Sequence, residues 1–213
     1  VELVTGVREA HSWLLLLLPA AGLAVVFLYR KLKVEGVGTN DVIDEVHLGK
    51  GLPWTLLPAI FLSTVLTHLF GGSAGREGAA LQMGGTVGYH VGRLFRLDDR
   101  DLRTATMTGM AAFFTALFGT PLAATVFAMM VISVGVFYHA DFIPCLVASL
   151  VAFGVSILMG VAPTRFAVAA PDLTALMLLR VAGLAALCGL VASLFCHSVH
   201  LALRKVHAVA EQA

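Results

Sequence analysis

Two glycine-rich breaks in an apolar chain hold the residues best suited to chemistry. The first is Glu35-Gly36-Val37-Gly38-Thr39-Asn40, which leads into Asp41 to His47. The second is Gly71-Gly72-Ser73-Ala74-Gly75-Arg76-Glu77-Gly78, which opens an apolar segment. Backbone N–H groups at the start of a helix carry partial positive charge and bind anions without a permanent cation. Glycine lets such a turn expose successive N–H groups to a ligand. An anion in a low-dielectric setting needs this substitute for its hydration shell, and a full cationic side chain would hold it too tightly for rapid turnover. The N–H groups of Gly36, Val37, Gly38, Thr39 and Asn40, and of Gly75, Arg76, Gly78 and Ala79, are therefore the candidate anion ligands. The competing reading is close helix packing, which small residues also serve.

Glu77 adds a proton-handling group. An ionisable residue at membrane depth is costly and marks a functional site by default. Charged, its carboxylate competes for the anion seat; protonated, it is neutral and leaves the seat to the ion. Burial would favour the neutral form. Arg76 is positioned to bias Glu77 or to attract anions, and a surface Glu77–Arg76 ion pair is the alternative.

Other motifs carry less. Gly71-x-Ser73-x-Gly75 has the spacing of a hydrolase nucleophile elbow, but that turn needs a preceding strand, and here an apolar helix is expected, with His68 inside it. An intramembrane hydrolase is thus a remote alternative, and the chain is not expected to be an enzyme. An interaction scaffold gives no reason for a glutamate among helix-breaking glycines. His197 and His200 share a helix face with no third ligand, so no metal is expected; no nucleotide loop or other cofactor motif is present. Met107, Met110, Met129 and Met130 read as packing residues, with Met129 and Met130 alternatively near an ion path. Cys145, Cys188 and Cys196 read as buried thiols.

The elements that must position these groups are helices. Apolar stretches cover Trp13–Tyr29, Pro53–Phe70, Ala79–Leu94, Thr104–Gly119, Thr120–Val136, Phe142–Val161 and Leu176–Leu203, and nothing alternates with period two, so the fold class is all-α. A spanning helix needs about 20 apolar residues; several segments are shorter or glycine-interrupted, which points to a transport site. Pro53 suits a first helical turn. Arg30, Lys31 and Lys33 mark a cytoplasmic end. The charged run 93–103 reads as a solvated connector, with Asp101 as N-cap of the next helix. With 59% hydrophobic and 13% charged residues, the chain departs from soluble composition towards a polytopic membrane protein, and its net charge of +1 offers nothing to nucleic acid. The start at Val1 reads as that of an internal fragment.

Gly75-Arg76-Glu77-Gly78, followed by Leu81-Gln82-Met83-Gly84-Gly85, resembles the signature of the CLC family of anion channels and transporters, in which a glutamate gates the outer side of the pore. Gly36-Val37-Gly38-Thr39-Asn40 stands where chloride-carrying members have a Gly-Ser-Gly-Ile-Pro filter. Gly109-Met110-Ala111-Ala112 and Leu117-Phe118-Gly119-Thr120-Pro121-Leu122-Ala123 resemble the paired helices that follow. The resemblance implies a single transmembrane region over residues 1–213, the first of two inverted repeats, with broken and re-entrant helices converging on an anion site. It implies Glu77 as gate, fluoride or chloride and protons as partners, a lipid environment, a homodimer with contacts around 120–160, and a bacterial inner membrane. Val37 replaces the filter serine, Asn40 the filter proline and Ala79 the proline after the gate. Met130 or Val131 falls where chloride/proton exchangers carry an inner glutamate. This pattern resembles the fluoride/proton antiporter branch, whose flavour Phe118-Gly119-Thr120-Pro121 and Val131-Ile132-Ser133-Val134-Gly135 share; a chloride channel or chloride/proton exchanger is the alternative.

Overall fold

The computed structural model describes residues 2–49, 51–132, 139–161, 172 and 174–210. Among them every regular element is helical: α1 Glu2–Ala10, a 3-10 turn Ser12–Leu17, α2 Leu18–Leu32, α3 Thr39–Leu48, α4 Leu56–Leu69, α5 Arg76–Leu94, α6 Asp99–Phe118, α7 Pro121–Ile132, α8 His139–Leu158 and α9 Ala175–Ala210. Residues 1–165 form one compact unit and 166–213 a second. In the second unit α9 presents its apolar side chains to the surroundings, and Cys188 and Cys196 are exposed there, so only Cys145 is the buried thiol expected of all three.

Three stretches are long and apolar enough to cross a membrane: Ser12–Leu32, His139–Leu158 and Ala175–Arg204. By contrast, α3 has ten residues, about 15 Å of helix at 1.5 Å per residue, roughly half a hydrocarbon core.

Several boundaries differ from the sequence expectation. Helix α6 begins at Asp99 and its N-cap is Asp98, whose Oδ1 accepts the N–H of Asp101 at 2.8 Å. The connector therefore shrinks to 95–98, and Asp99 and Asp101 sit in a first turn where the helix dipole favours acids. Pro53 lies in a turn before α4, where its carbonyl accepts the N–H of Leu56. Helix α7 is described to Ile132; Ser133, Val134 and Gly135 lie outside the described residues.

The tightest pairing is α5 on α6. A Cβ on Gly84 or Gly88 of α5 would overlap the backbone carbonyl of Gly109 or Ala105 on α6, and one on Gly109 would overlap that of Gly84. Only hydrogen fits at this crossing. Met107, Met110 and Ala111 of α6 join Val42, Leu56, Ile60, Leu81 and Ala128 in the core, and Met129 of α7 is buried as well, as packing methionines are. Helix α8 is tied to α6 by Thr104 Oγ1 donating to Asp141 Oδ1 (2.6 Å), and to α7 by a hydrogen bond between the Ser149 and Thr125 hydroxyls (3.1 Å). The hydroxyls of Thr86, Thr106 and Thr125 each donate to the carbonyl one turn back, so these buried polar groups are satisfied within their helices.

Candidate functional site

Helices α3 and α5 run side by side in the same direction. Thr39 at the start of α3 meets Gly78 and Gln82 near the start of α5; Val42 meets Gly85 one turn on; Glu45 shares a cavity with Tyr89 and Arg93 another turn on. The parallel register brings two helix N-termini together. Their dipoles add at one place, each end contributing about +0.5 of an elementary charge.

At the first break the chain leaves α2 through Lys33 in the left-handed region, turns at Val34 and Val37, and enters α3 after Gly38. Gly36 has φ +74°, a conformation that favours glycine. Gly38 is extended (φ −131°) and serves as N-cap. Its N–H donates to Asp41 Oδ2 at 2.7 Å, so this candidate amide already serves the carboxylate at the third helical position. The N–H groups of Thr39 and Asn40 belong to the first turn, which has no intrahelical acceptor. Val37 is half-buried and packs on the core; it brings no hydroxyl to the site. Nothing approaches within 4 Å of a Cβ on Gly36 or Gly38, so close packing does not explain either glycine.

The second break starts where α4 ends. Gly71 has φ +81°, and Gly72 N–H donates to the Thr67 carbonyl at 2.8 Å. Gly75 is the N-cap of α5, with φ −65° and no side-chain cap. The amides of Arg76, Gly78 and Ala79 fall in the first turn. Glu77 is exposed rather than buried, whereas Arg76, Gly78 and Ala79 beside it are partly covered. Its side chain folds back over its own helix start, with Oε2 2.8 Å from the place a Cβ on Gly75 would take. Among the described residues Arg76 and Glu77 form no ion pair; Arg30 Nε does pair with Glu35 Oε1 at 2.9 Å, on an exposed surface where such a bond is worth little.

Thr39 links the two starts. Its Oγ1 accepts from Gln82 Nε2 at 2.8 Å and lies 3.3 Å from a Cβ on Gly78. Gln82 and Asp41 are the residues that the sequence reading did not place in the site. Gln82 signals itself as the one amide in an apolar helix, a turn beyond Gly78. Asp41 signals itself by its place three residues after the N-cap.

The elbow reading of Ser73 fails on its surroundings. Helix α4 precedes it in place of a strand, and His68 Nδ1 is bonded to the Thr64 carbonyl at 2.8 Å within that helix. No group of three or more His, Cys, Asp or Glu among the described residues could hold a metal.

The family described as voltage gated chloride channel matches residues 21–212. A chloride/fluoride channel protein of Pseudomonas syringae is 40% identical over 163 residues, 76% of this chain and 36% of its own length. An H(+)/Cl(-) exchange transporter, ClcA, of Cronobacter sakazakii is 38% identical over 121 residues, 54% of this chain and 26% of its own. Among solved structures, a CLC-type fluoride/proton antiporter superposes with a TM-score of 0.75 at 37% identity, covering 84% of this chain and 46% of the antiporter chain. The chain thus spans less than half the length of these relatives. Its helices, its glycine-bounded starts and these matches agree: the chain belongs to the CLC family of anion channels and transporters.

Proposed function

We propose that this chain carries the gate and half of the anion seat of a fluoride/proton antiporter, exporting fluoride as protons enter. The observation that supports it best is the meeting of the α3 and α5 starts through Thr39, Gly78 and Gln82, with the Glu77 carboxylate folded over one of them. The first-turn amides of Thr39, Asn40, Arg76, Gly78 and Ala79 hold the ion, and Gly36 gives the first loop its turn. Gly38 and Val37 shape that loop, since the Gly38 amide is engaged by Asp41.

The gate works by charge. An ionised Glu77 is held at the α5 start by the same partial charges that attract the anion. Taking up a proton removes that attraction, the neutral side chain swings away, and fluoride occupies the amides. Releasing the proton on the other side reverses the exchange. Val37 in place of a filter serine leaves amides alone to meet a small ion of high field strength, and field strength is one basis of halide selection. The relatives named for fluoride point the same way. We further place residues 1–213 as the first of two repeats, the second completing the pore. The full protein would be a homodimer in a bacterial inner membrane, with exposed Leu122, Ile143, Val147 and Val151 of α7 and α8 at the subunit contact.

The test is flux from liposomes holding the full-length protein, loaded with fluoride or chloride, with and without a proton gradient. Fluoride efflux that drives proton uptake is the expected result. Chloride current at channel rates, indifferent to the gradient, would refute the assignment.

A further inference from the structure

A proton that Glu77 accepts must still reach the far side, and in this chain the α7 positions Met130 and Val131 cannot carry it. Helix α3 holds another carboxylate. Glu45 is 2% exposed, the one buried carboxylate among the described residues. One of its oxygens, Oε2, accepts the N–H of Gly51. The residue lines an open cavity of about 360 Å³ with Tyr89 and Arg93 of α5 and Asp99 and Arg103 of α6.

We infer that Glu45 is the second proton-carrying carboxylate of this transporter, receiving from Glu77 the proton that the cavity beside α5 and α6 then releases. The inference rests on the antiporter reading above.

Glu45 stands on the helix whose first turn forms part of the proposed anion seat. It lies six residues along α3 from Thr39, about 9 Å at 1.5 Å per residue, roughly three hydrogen-bonded steps. Polar groups recur along the facing stripe of α5. Gln82 is bonded to Thr39, the fully buried Thr86 donates to the Gln82 carbonyl, and Tyr89 accepts from Arg93 Nη1 at 3.2 Å. Between these groups the fully buried Val42 packs against Gly85, so the relay has to pass beside that contact. The step breaks the O–H of Glu77 and forms one on Glu45, with water or hydroxyls relaying it; Glu45 then gives the proton to cavity water. Each relaying oxygen gains one O–H bond as it gives up another, so there is no other net bond change. Tyr89, Arg93, Asp99 and Arg103 face the cavity, and Asp44 and His47 flank Glu45 on its own helix.

A purely structural role is the rival account, because the Gly51 bond also pins the turn after α3. Glu45→Gln keeps an acceptor for Gly51 and cannot titrate; Glu45→Asp keeps a carboxyl. In liposomes bearing full-length protein, Glu45→Gln should cut fluoride-driven proton movement about a hundredfold, the lower range for a positioned proton-transfer group, and leave a passive fluoride leak. Glu45→Asp should recover part of the coupling with a shifted pH profile. Proton movement at the wild-type ratio in Glu45→Gln would overturn the inference, with wild-type coupling still supporting the antiporter reading. Equal loss of fluoride and proton flux in both variants, or failure of both to fold, would assign Glu45 to structure alone. A wild-type protein that moves fluoride without protons would end both readings.

Discussion

Removing the Thr39 hydroxyl tests whether the bond to Gln82 holds the two helix starts in one site. Thr39→Val keeps the backbone N–H and nearly the same shape, so the change isolates the Oγ1 that accepts from Gln82 Nε2 at 2.8 Å. A neutral hydrogen bond contributes about 0.5–1.5 kcal/mol net, and an orphaned buried partner costs about 1–3 kcal/mol. Thr39 and Gln82 are both half-buried, so water reaches the freed amide and the cost falls at the low end, about 1 kcal/mol. If that bond sets the spacing of the α3 and α5 amides, the loss appears as roughly a fivefold weaker fluoride affinity. Calorimetric titration of full-length protein in detergent reads it directly. Gln82→Met should weaken binding by the same factor, and the double substitution should be no weaker than either single one, a coupling of about 1 kcal/mol in the cycle. Losses that add in the double variant, or single variants with unchanged affinity, would refute the idea that this bond braces the site.

Other expectations follow from the same geometry. Gly88→Ala or Gly109→Ala puts a methyl into a facing backbone, forces α5 from α6, and should lower stability by about 1–3 kcal/mol, read as a fall in Tm. Gly36→Ala, at φ +74° but in open space, should cost about 1–2 kcal/mol from the backbone alone. Gly38→Ala, at φ −131°, should cost less; equal Tm losses at the two glycines would contradict the loop conformation. Asp41→Ala removes the acceptor of the Gly38 amide, so α3 should lose about 1 kcal/mol of capping. Fluoride should then bind more tightly, with one more amide free and one less negative charge beside the seat; weaker binding would show that Asp41 supports the site.

Much of this architecture was legible from local pattern. The breaks at Gly36–Asn40 and Gly71–Gly78 announced helix starts because glycine and polar residues interrupt apolar runs there, and α3 and α5 begin inside them, at Thr39 and Arg76, two to three residues before the expected Asp41 and Ala79. What local pattern left open was the purpose of each glycine. Gly84, Gly88 and Gly109 pack backbones, whereas Gly36 and Gly38 touch nothing, and only neighbours distant in sequence separate the two uses. The Thr39–Gln82 bond was hidden for the same reason: it joins residues 43 apart. Capping was misjudged over one turn, since Asp98, Asp99 and Asp101 are all acidic and only geometry shows that Asp98 receives the Asp101 amide. Helix α1 was missed because Glu2, Arg8 and Glu9 mask a short amphipathic face that lies against α4. Glu77 was expected at membrane depth, and its side chain is exposed.

The central claim is that the titratable group at the α5 start couples anion movement to proton movement. Fluoride-driven proton uptake, recorded in one liposome preparation for the wild-type protein and for Glu77→Gln, tests it most directly. The account predicts that the substitution abolishes proton uptake, because the amide side chain can neither bind nor release the proton. Proton uptake in Glu77→Gln at the wild-type ratio to fluoride would contradict it.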